Sequence, residues 1–123
     1  MPIWIGGRTD AALERAGRLS DGYHATSSSP AAFAARVGTI RAAAEAAGRP
    51  LPTLSTRVRL ALAEPAESAE PRAYALRGDD GEARAELERW EAVGLEHMAV
   101  WPGGDTIEAY LRNAERFSRI AIA

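Results

Sequence analysis

The first thirteen residues constrain this chain most. Pro2-Ile3-Trp4-Ile5 is a short apolar run, Gly6-Gly7 stops it, and Arg8-Thr9-Asp10-Ala11-Ala12-Leu13 opens an Ala-rich helix at once. In a parallel α/β arrangement this is the carboxyl end of a strand meeting the amino end of a helix. Unpaired backbone N–H groups gather there, and the helix dipole favours an anion. The glycines let a phosphate approach the main chain closely. A strand that starts at residue 2 and carries such a turn suggests a piece of a larger fold, or a short relative of one.

The alternation continues. Thr9 is placed to cap the first helix, whose apolar stripe is Ala12, Leu13, Ala16 and Leu19. Asp21-Gly22 breaks it, and Tyr23-His24-Ala25 forms a second strand. Residues 26–29 are a polar loop, and Ser29-Pro30 starts a helix with Phe33, Val37, Ile40 and Ala44 inward and Gly48 at its end. Residues 53–63 form a third strand. There Arg57 and Arg59 alternate with Val58 and Leu60, so one side is solvated or ion-paired. Residues 64–81 read as loop, with Glu64, Glu67 and Glu70 solvated and one short helical piece around residues 73–76. A helix over 82–93 closes at Gly94, and residues 97–101 are a fourth strand. After the Pro102-Gly103-Gly104 turn, Asp105 and Glu108 resemble a capping box. The last helix runs to about residue 120, with Ile107, Leu111, Ala114, Phe117 and Ile120 inward.

Four strands alternating with helices imply an α/β fold with parallel pairing and right-handed crossovers. Four such units form a small open sheet or half of an eight-stranded barrel, since a whole barrel needs about 250 residues. At 123 residues the chain is one domain. Chains near this size bury roughly two thirds of their unfolded surface, enough for a core.

Composition narrows the chemistry. The net charge is −2, which gives no reason to expect nucleic acid or an anionic membrane as partner. All basic residues are arginine, consistent with the coding bias of a GC-rich genome. Without cysteine, disulfides, thiolate metal sites and cysteine nucleophiles are excluded, and two distant histidines make a metal site a poor reading. No apolar run reaches the length of a membrane span, and no secretory signal opens the chain. The expected compartment is the cytoplasm.

Several stretches together carry a resemblance: Pro2-Ile-Trp-Ile-Gly-Gly7 with Ala11-Ala12-Leu13, Leu19-Ser-Asp-Gly-Tyr23, the Ser29-Pro30 helix start, Gly94-Leu-Glu-His-Met98, and a closing helix with Phe117. The chain resembles the C-terminal half of the luciferase-like monooxygenases, which include bacterial luciferase, alkanesulfonate monooxygenases and the deazaflavin-dependent oxidoreductases of actinobacteria and methanogens. The resemblance implies half of a (βα)8 TIM barrel over residues 1–123, strands five to eight without strands one to four. It implies an oxidoreductase or monooxygenase that binds coenzyme F420 or, as second choice, FMN, together with a small-molecule substrate. It places the cofactor phosphate at Gly6, Gly7, Arg8 and Thr9. Most residues around the reactive ring would come from the other half, so the isolated chain is expected to be inactive.

Other residues leave alternatives open. Gly6-Gly7 also serves as a tight turn, and Arg8 as a solvated side chain. His24, Thr26, Ser27 and Ser28 on the following rim either line a pocket or are structural, and Trp101 either lines it or packs in the core. His97 is expected at the opposite end, in a structural role. Gly103-Gly104 offers a second anion cradle, against which a capping Asp105 would compete. The competing functional class is a non-catalytic half-barrel, acting by homodimerisation or by pairing with a complementary half, or else a truncated gene product. An apolar concave face would drive such pairing.

Overall fold

The computed structural model describes residues 1–26, 28–62 and 74–122. Its elements run β1 (Trp4–Gly6), α1 (Asp10–Leu19), β2 (Gly22–Thr26), α2 (Pro30–Ala46), β3 (Thr53–Ala61), β4 (Ala75–Arg77), α3 (Asp80–Ala92), β5 (His97–Trp101) and α4 (Ile107–Ile122). Every strand pairing is parallel. β1, β2, β3 and β5 lie side by side in that order, the four expected strands. Of the helical piece expected around residues 73–76, residue 73 lies outside the described residues, and Ala75 and Leu76 belong instead to the short strand β4. Its register is Arg59↔Ala75, Leu60↔Leu76 and Ala61↔Arg77. Arg59 also pairs with Trp101, so β4 lies on the edge of β3 away from β5, where it continues past the end of β2 at Thr26↔Arg57. Leu76 is fully buried there, and apolar burial outweighs the weak local propensity. The expected solvated Glu64, Glu67 and Glu70 lie outside the described residues.

The helix starts follow local chemistry. Thr9 caps α1 by accepting from the Ala12 N–H at 3.2 Å, and Ser29 caps α2 through the Ala32 N–H at 3.2 Å, with Pro30 at its first turn. Asp79 and Glu82 form a reciprocal capping box at α3, each bond 2.8 Å. α4 differs from expectation. Thr106, not Asp105, caps it by accepting from the Ala109 N–H at 3.1 Å.

The helices cover one face of the sheet. Tyr23, Ala25, Leu54 and Val58 meet Leu13 and Ala16 of α1, Phe33, Val37 and Ile40 of α2, and Trp90 of α3. A second cluster joins Leu60, Leu62 and Leu76 to Ala83, Leu87 and Ile120. Gly17 lets α1 lie directly on α2, where an added Cβ would meet the Ile40 carbonyl and come 2.7 Å from Ala43 Cβ.

Burial departs from the sequence reading at the two outer elements. β1 is not a buried strand despite its apolar run, since Ile3 and Trp4 are exposed and Ile5 is half-buried. Along α4 only Ile120 is buried, while Ile107 and Leu111 are 75% and 56% exposed. Leu19 is likewise exposed at the end of α1. All of these lie at or beside the outer strands β1 and β5, each of which has one unpaired edge among the described residues.

A line of aromatic rings threads the core. Tyr23 stacks on Phe33 with centroids 6.2 Å apart, Phe33 meets Trp90 edge-on at 5.3 Å, and Trp90 meets Tyr74 at 5.8 Å. The Trp90 Nε1–H donates to the Tyr74 hydroxyl at 2.9 Å, which donates onward to Glu86 at 2.9 Å. Burial pushes the Tyr74 phenol up, the Trp90 hydrogen bond partly opposes this, and the Glu86 carboxylate adds to it. Folding thus favours the neutral phenol. Its contribution is complete below the unfolded value of about 10 and is lost as pH climbs above it. Denaturation measured between neutral pH and about pH 11 should show stability declining on this alkaline limb. Tyr74→Phe should start less stable, because Trp90 loses its acceptor, yet decline with a shallower slope. An unchanged slope would remove Tyr74 from the explanation.

Candidate functional site

Strand alternation sorts the sheet into two faces. Residues paired across parallel strands share a face, so the register gives the surface opposite the helices row by row. Trp4, Gly22 and Thr53 form the first row, and Gly6, His24, Ser55 and His97 the second. Thr26, Arg57 and Ala99 form the third, Ala75, Arg59 and Trp101 the fourth, and Arg77 with Ala61 the fifth. This concave face is polar, not apolar as expected. Besides Trp4, Trp101, glycine and alanine, the strand positions on it carry arginine, histidine, serine and threonine, and no carboxylate among the described residues. Its exposed apolar side chains, Trp4 and Trp101, stand on the two outer strands, and Ile3, Ile107 and Leu111 are exposed on the flanks.

The rows are ordered from the amino to the carboxyl ends of the strands. At the first, the Trp4 indole lies across Gly22, filling the space a side chain there would need. In the second, His24 Nδ1 and Ser55 Oγ lie 2.7 Å apart, with Ser55 buried and His24 half-buried. That contact fixes the ring and leaves Nε2 as the nitrogen without a partner among the described residues. His97 opens β5 at the amino end of that strand, as expected, and stands level with Ser55, exposed on this same face. The start of β5 is level with the middle of β2, a stagger that sequence alone does not give.

The carboxyl ends of the strands form the rim. Gly7 has φ 113°, and a Cβ there would stand 2.8 Å from Ala12 Cβ, so the turn into α1 requires glycine. The Tyr23 hydroxyl donates to the Gly7 carbonyl at 2.7 Å, fastening the turn to the core. Beyond it the Asp10 and Ala11 N–H groups have no acceptor within α1. Arg8 is exposed with no ion-pair partner among the described residues. The Thr9 hydroxyl is engaged in capping, which leaves its backbone N–H for a ligand. Asp10 in the first turn opposes an anion.

On the neighbouring rim, Thr26 is half-buried and in register with Arg57. Ser27 lies outside the described residues. Ser28 is 4% exposed, and its hydroxyl has no hydrogen-bond partner among the described residues. Trp101 is 60% exposed at the end of β5, so it lines the concave face and does not pack in the core. Gly103 and Gly104, both at positive φ, follow it. Asn113 ties that turn down by donating to the Pro102 carbonyl at 3.0 Å. With Thr106 as the cap, Asp105 does not occupy the donors of this second cradle. Among the described residues no cluster of three metal-ligating side chains occurs, and no helix is long and apolar enough to cross a membrane.

A parallel half-sheet with helices on one side and polar groups facing its carboxyl mouth matches known architecture. The family model for luciferase-like monooxygenases matches residues 1–118. The chain belongs to the luciferase-like monooxygenase family. Among solved structures, it is similar to a monooxygenase, RslO1, from Streptomyces bottropensis, with TM-score 0.73 and 19% identity over 98% of this chain and 47% of that one. It is also similar to a coenzyme F420-dependent tetrahydromethanopterin reductase from Methanopyrus kandleri, with TM-score 0.72 and 16% identity over 98% of this chain and 51% of that one. An F420-dependent secondary alcohol dehydrogenase, solved with an F420–acetone adduct, superposes with TM-score 0.65 and 13% identity over 81% of this chain and 42% of its own. The chain therefore spans about half the length of these luciferase-like structures, whose likeness is one of fold.

Two residues the sequence did not single out, Tyr23 and Ser55, position the others. Ser55 shares the alternation of Arg57 and Arg59, which was the available signal; nothing local marks Tyr23 as the anchor of a turn sixteen residues earlier. Tyr23→Phe keeps the ring and its packing but frees the Gly7 carbonyl. The expected cost is about 0.5–1.5 kcal/mol in denaturant unfolding. Faster amide exchange at residues 7–11, with the remaining core unchanged, would locate the effect; uniform acceleration would show that Tyr23 serves the core alone.

Proposed function

We propose that this chain is the cofactor-phosphate half of a luciferase-like oxidoreductase, and that it takes coenzyme F420 in preference to FMN. The observation that carries the reading is the Gly6–Thr9 turn: an obligatory glycine at a strand end, helix N–H groups without intrahelical acceptors, and an unpaired arginine beside them. The donor set fits a phosphate, and the orphaned, buried Ser28 hydroxyl on the next rim adds a polar group in want of a partner. When bound, the deazaflavin supplies hydride transfer, and the protein orients it. Arg8 and the backbone of Gly7, Thr9 and Asp10 hold the phosphate. Tyr23 keeps that turn in place, and His24, held by Ser55, presents Nε2 toward the concave face. Thr26 and Trp101 are assigned to the wall of the substrate pocket.

Titration of the full chain with oxidised and reduced deazaflavin should give weak, saturable binding that falls with salt. Arg8→Ala should weaken it by about 1.5–3 kcal/mol, the loss of a charge-assisted hydrogen bond. Gly7→Val should abolish it, with circular dichroism reporting that the fold persists. Binding indifferent to both substitutions would overturn the assignment, as would robust turnover by the chain alone.

The flanks support a second element of the proposal, pairing with another chain as a homodimer or with a complementary half-barrel. Unpaired parallel edges on β1 and β5 sit beside exposed Trp4, Trp101, Ile107 and Leu111, the pattern of surface that proteins cover. Sedimentation of the isolated chain should show dimers or larger species. Ile107→Glu with Leu111→Glu should shift them toward monomer while helicity is kept. A stable wild-type monomer at high concentration would refute the pairing.

A further inference from the structure

We infer that Arg57 and Arg59 form a separate oxyanion site on the concave face, the anchor for a carboxylate- or phosphate-bearing small molecule. Both project from the same side of β3, the central strand, two residues and so about 7 Å apart along it. Both are exposed, and neither has an ion-pair or hydrogen-bond partner among the described residues. Four arginines outside the sheet are paired with carboxylates: Arg49 with Asp21, Arg84 with Glu88, Arg89 with Glu86 and Arg116 with Asp80. Among the described residues Arg57 and Arg59 have none, and the described strand positions around them supply none; the third arginine of this face, Arg77, in register with Ala61, is engaged by a partner of its own.

The immediate neighbours shape the site. Thr26 stands beside Arg57 on β2 and offers a hydroxyl. Trp101 stands beside Arg59 on β5, an aromatic wall next to a guanidinium. His24 and His97 lie one row below, flanking Ser55. Two guanidinium forks can each give paired N–H groups to one oxyanion, a geometry suited to carboxylate and phosphate. Gly6 is two strands away, roughly 10 Å across the sheet, so the cofactor phosphate and this anion occupy different places. As a statement about substrate, the inference rests on the oxidoreductase reading; as a statement about anion binding, it stands without it.

Inorganic phosphate is the probe. Titrated into the full chain with 15N-labelled arginine, it should move the Nε–Hε signals assigned to Arg57 and Arg59. Arg57→Gln with Arg59→Gln should weaken phosphate binding at least tenfold with unchanged circular dichroism, and Arg59→Lys should keep part of it. Gly7→Val should leave this binding intact while removing deazaflavin binding, so the two readings fail independently. Saturating deazaflavin should leave the Arg57 and Arg59 response to phosphate in place. If deazaflavin abolishes that response, the arginines belong to the cofactor's own anion, and the separate site is refuted. The proposal also falls if phosphate moves neither signal, or if the double glutamine variant binds it like wild type. A changed sedimentation profile with unchanged phosphate binding would assign the arginines to a protein contact instead.

Discussion

The hydrogen bond from Tyr23 to the Gly7 carbonyl couples the core to the rim. One end of Tyr23 belongs to the ring series that runs through Phe33 and Trp90 to Tyr74, and so joins β2, α2 and α3. The other end fixes a turn with no side chains of its own to pack. A glycine turn is free to adopt φ 113°, and for the same reason is poorly determined by local sequence. Its conformation is set from below, by a fully buried phenol whose own position is dictated by aromatic packing. The turn proposed to hold the phosphate is thus fixed by the scaffold, although the donors it offers besides Arg8 are main-chain N–H groups on a loop.

The same sheet imposes two incompatible demands on alternate residues. Toward the helices, β3 presents Leu54, Thr56, Val58 and Leu60, all buried. Toward the concave side it presents Thr53, Ser55, Arg57 and Arg59. Parallel sheets are usually covered on both faces, and their strands then read as continuous apolar runs. β3 does not read that way. A strand this polar on one face fits the wall of a ligand cavity, where charge and hydrogen bonds select what enters. Ser55 shows how tightly the face is organised. It is almost fully buried and holds the imidazole of His24, so the histidine is oriented before any ligand arrives.

What the sequence disclosed follows from which interactions are local. The caps at Thr9 and Ser29, the proline opening α2, and its inward set Phe33, Val37, Ile40 and Ala44 depend on spacings of three and four residues. Strand–helix alternation determined the parallel order. β4 escaped notice because three residues held by Leu76 in a distant apolar cluster leave no local period. The cap of α4 was misplaced by one residue because Asp105 and Thr106 are both capable caps, and backbone direction decides between them. The inward stripe on α4 was legible as a stripe, and its period is real. What failed was the inference that it is covered by this chain. In the candidate site the glycine turn was visible, whereas the His24–Ser55–His97 row depends on strand register, which involves residues more than thirty positions apart.

Charge bears on how the open flanks are closed. A second copy added around a twofold axis along the strands would match the β1 edge of one chain to the β5 edge of the other, parallel to parallel, and complete eight strands. It would also double the arginines facing one interior without adding a carboxylate at any described strand position on that face. Like charges brought together in a low-dielectric cavity repel more strongly than on an open surface, and each keeps its desolvation cost. Apolar edges therefore favour closure while the arginines oppose it, unless something negative lies between them. A bound oxyanion reverses the sign, because the guanidinium groups that opposed closure then share a ligand. A complementary half with acidic residues facing inward has the same effect without one. The proposed anion site and the assembly of the barrel are in this way one electrostatic problem, and occupancy of the Arg57–Arg59 pair would couple the two.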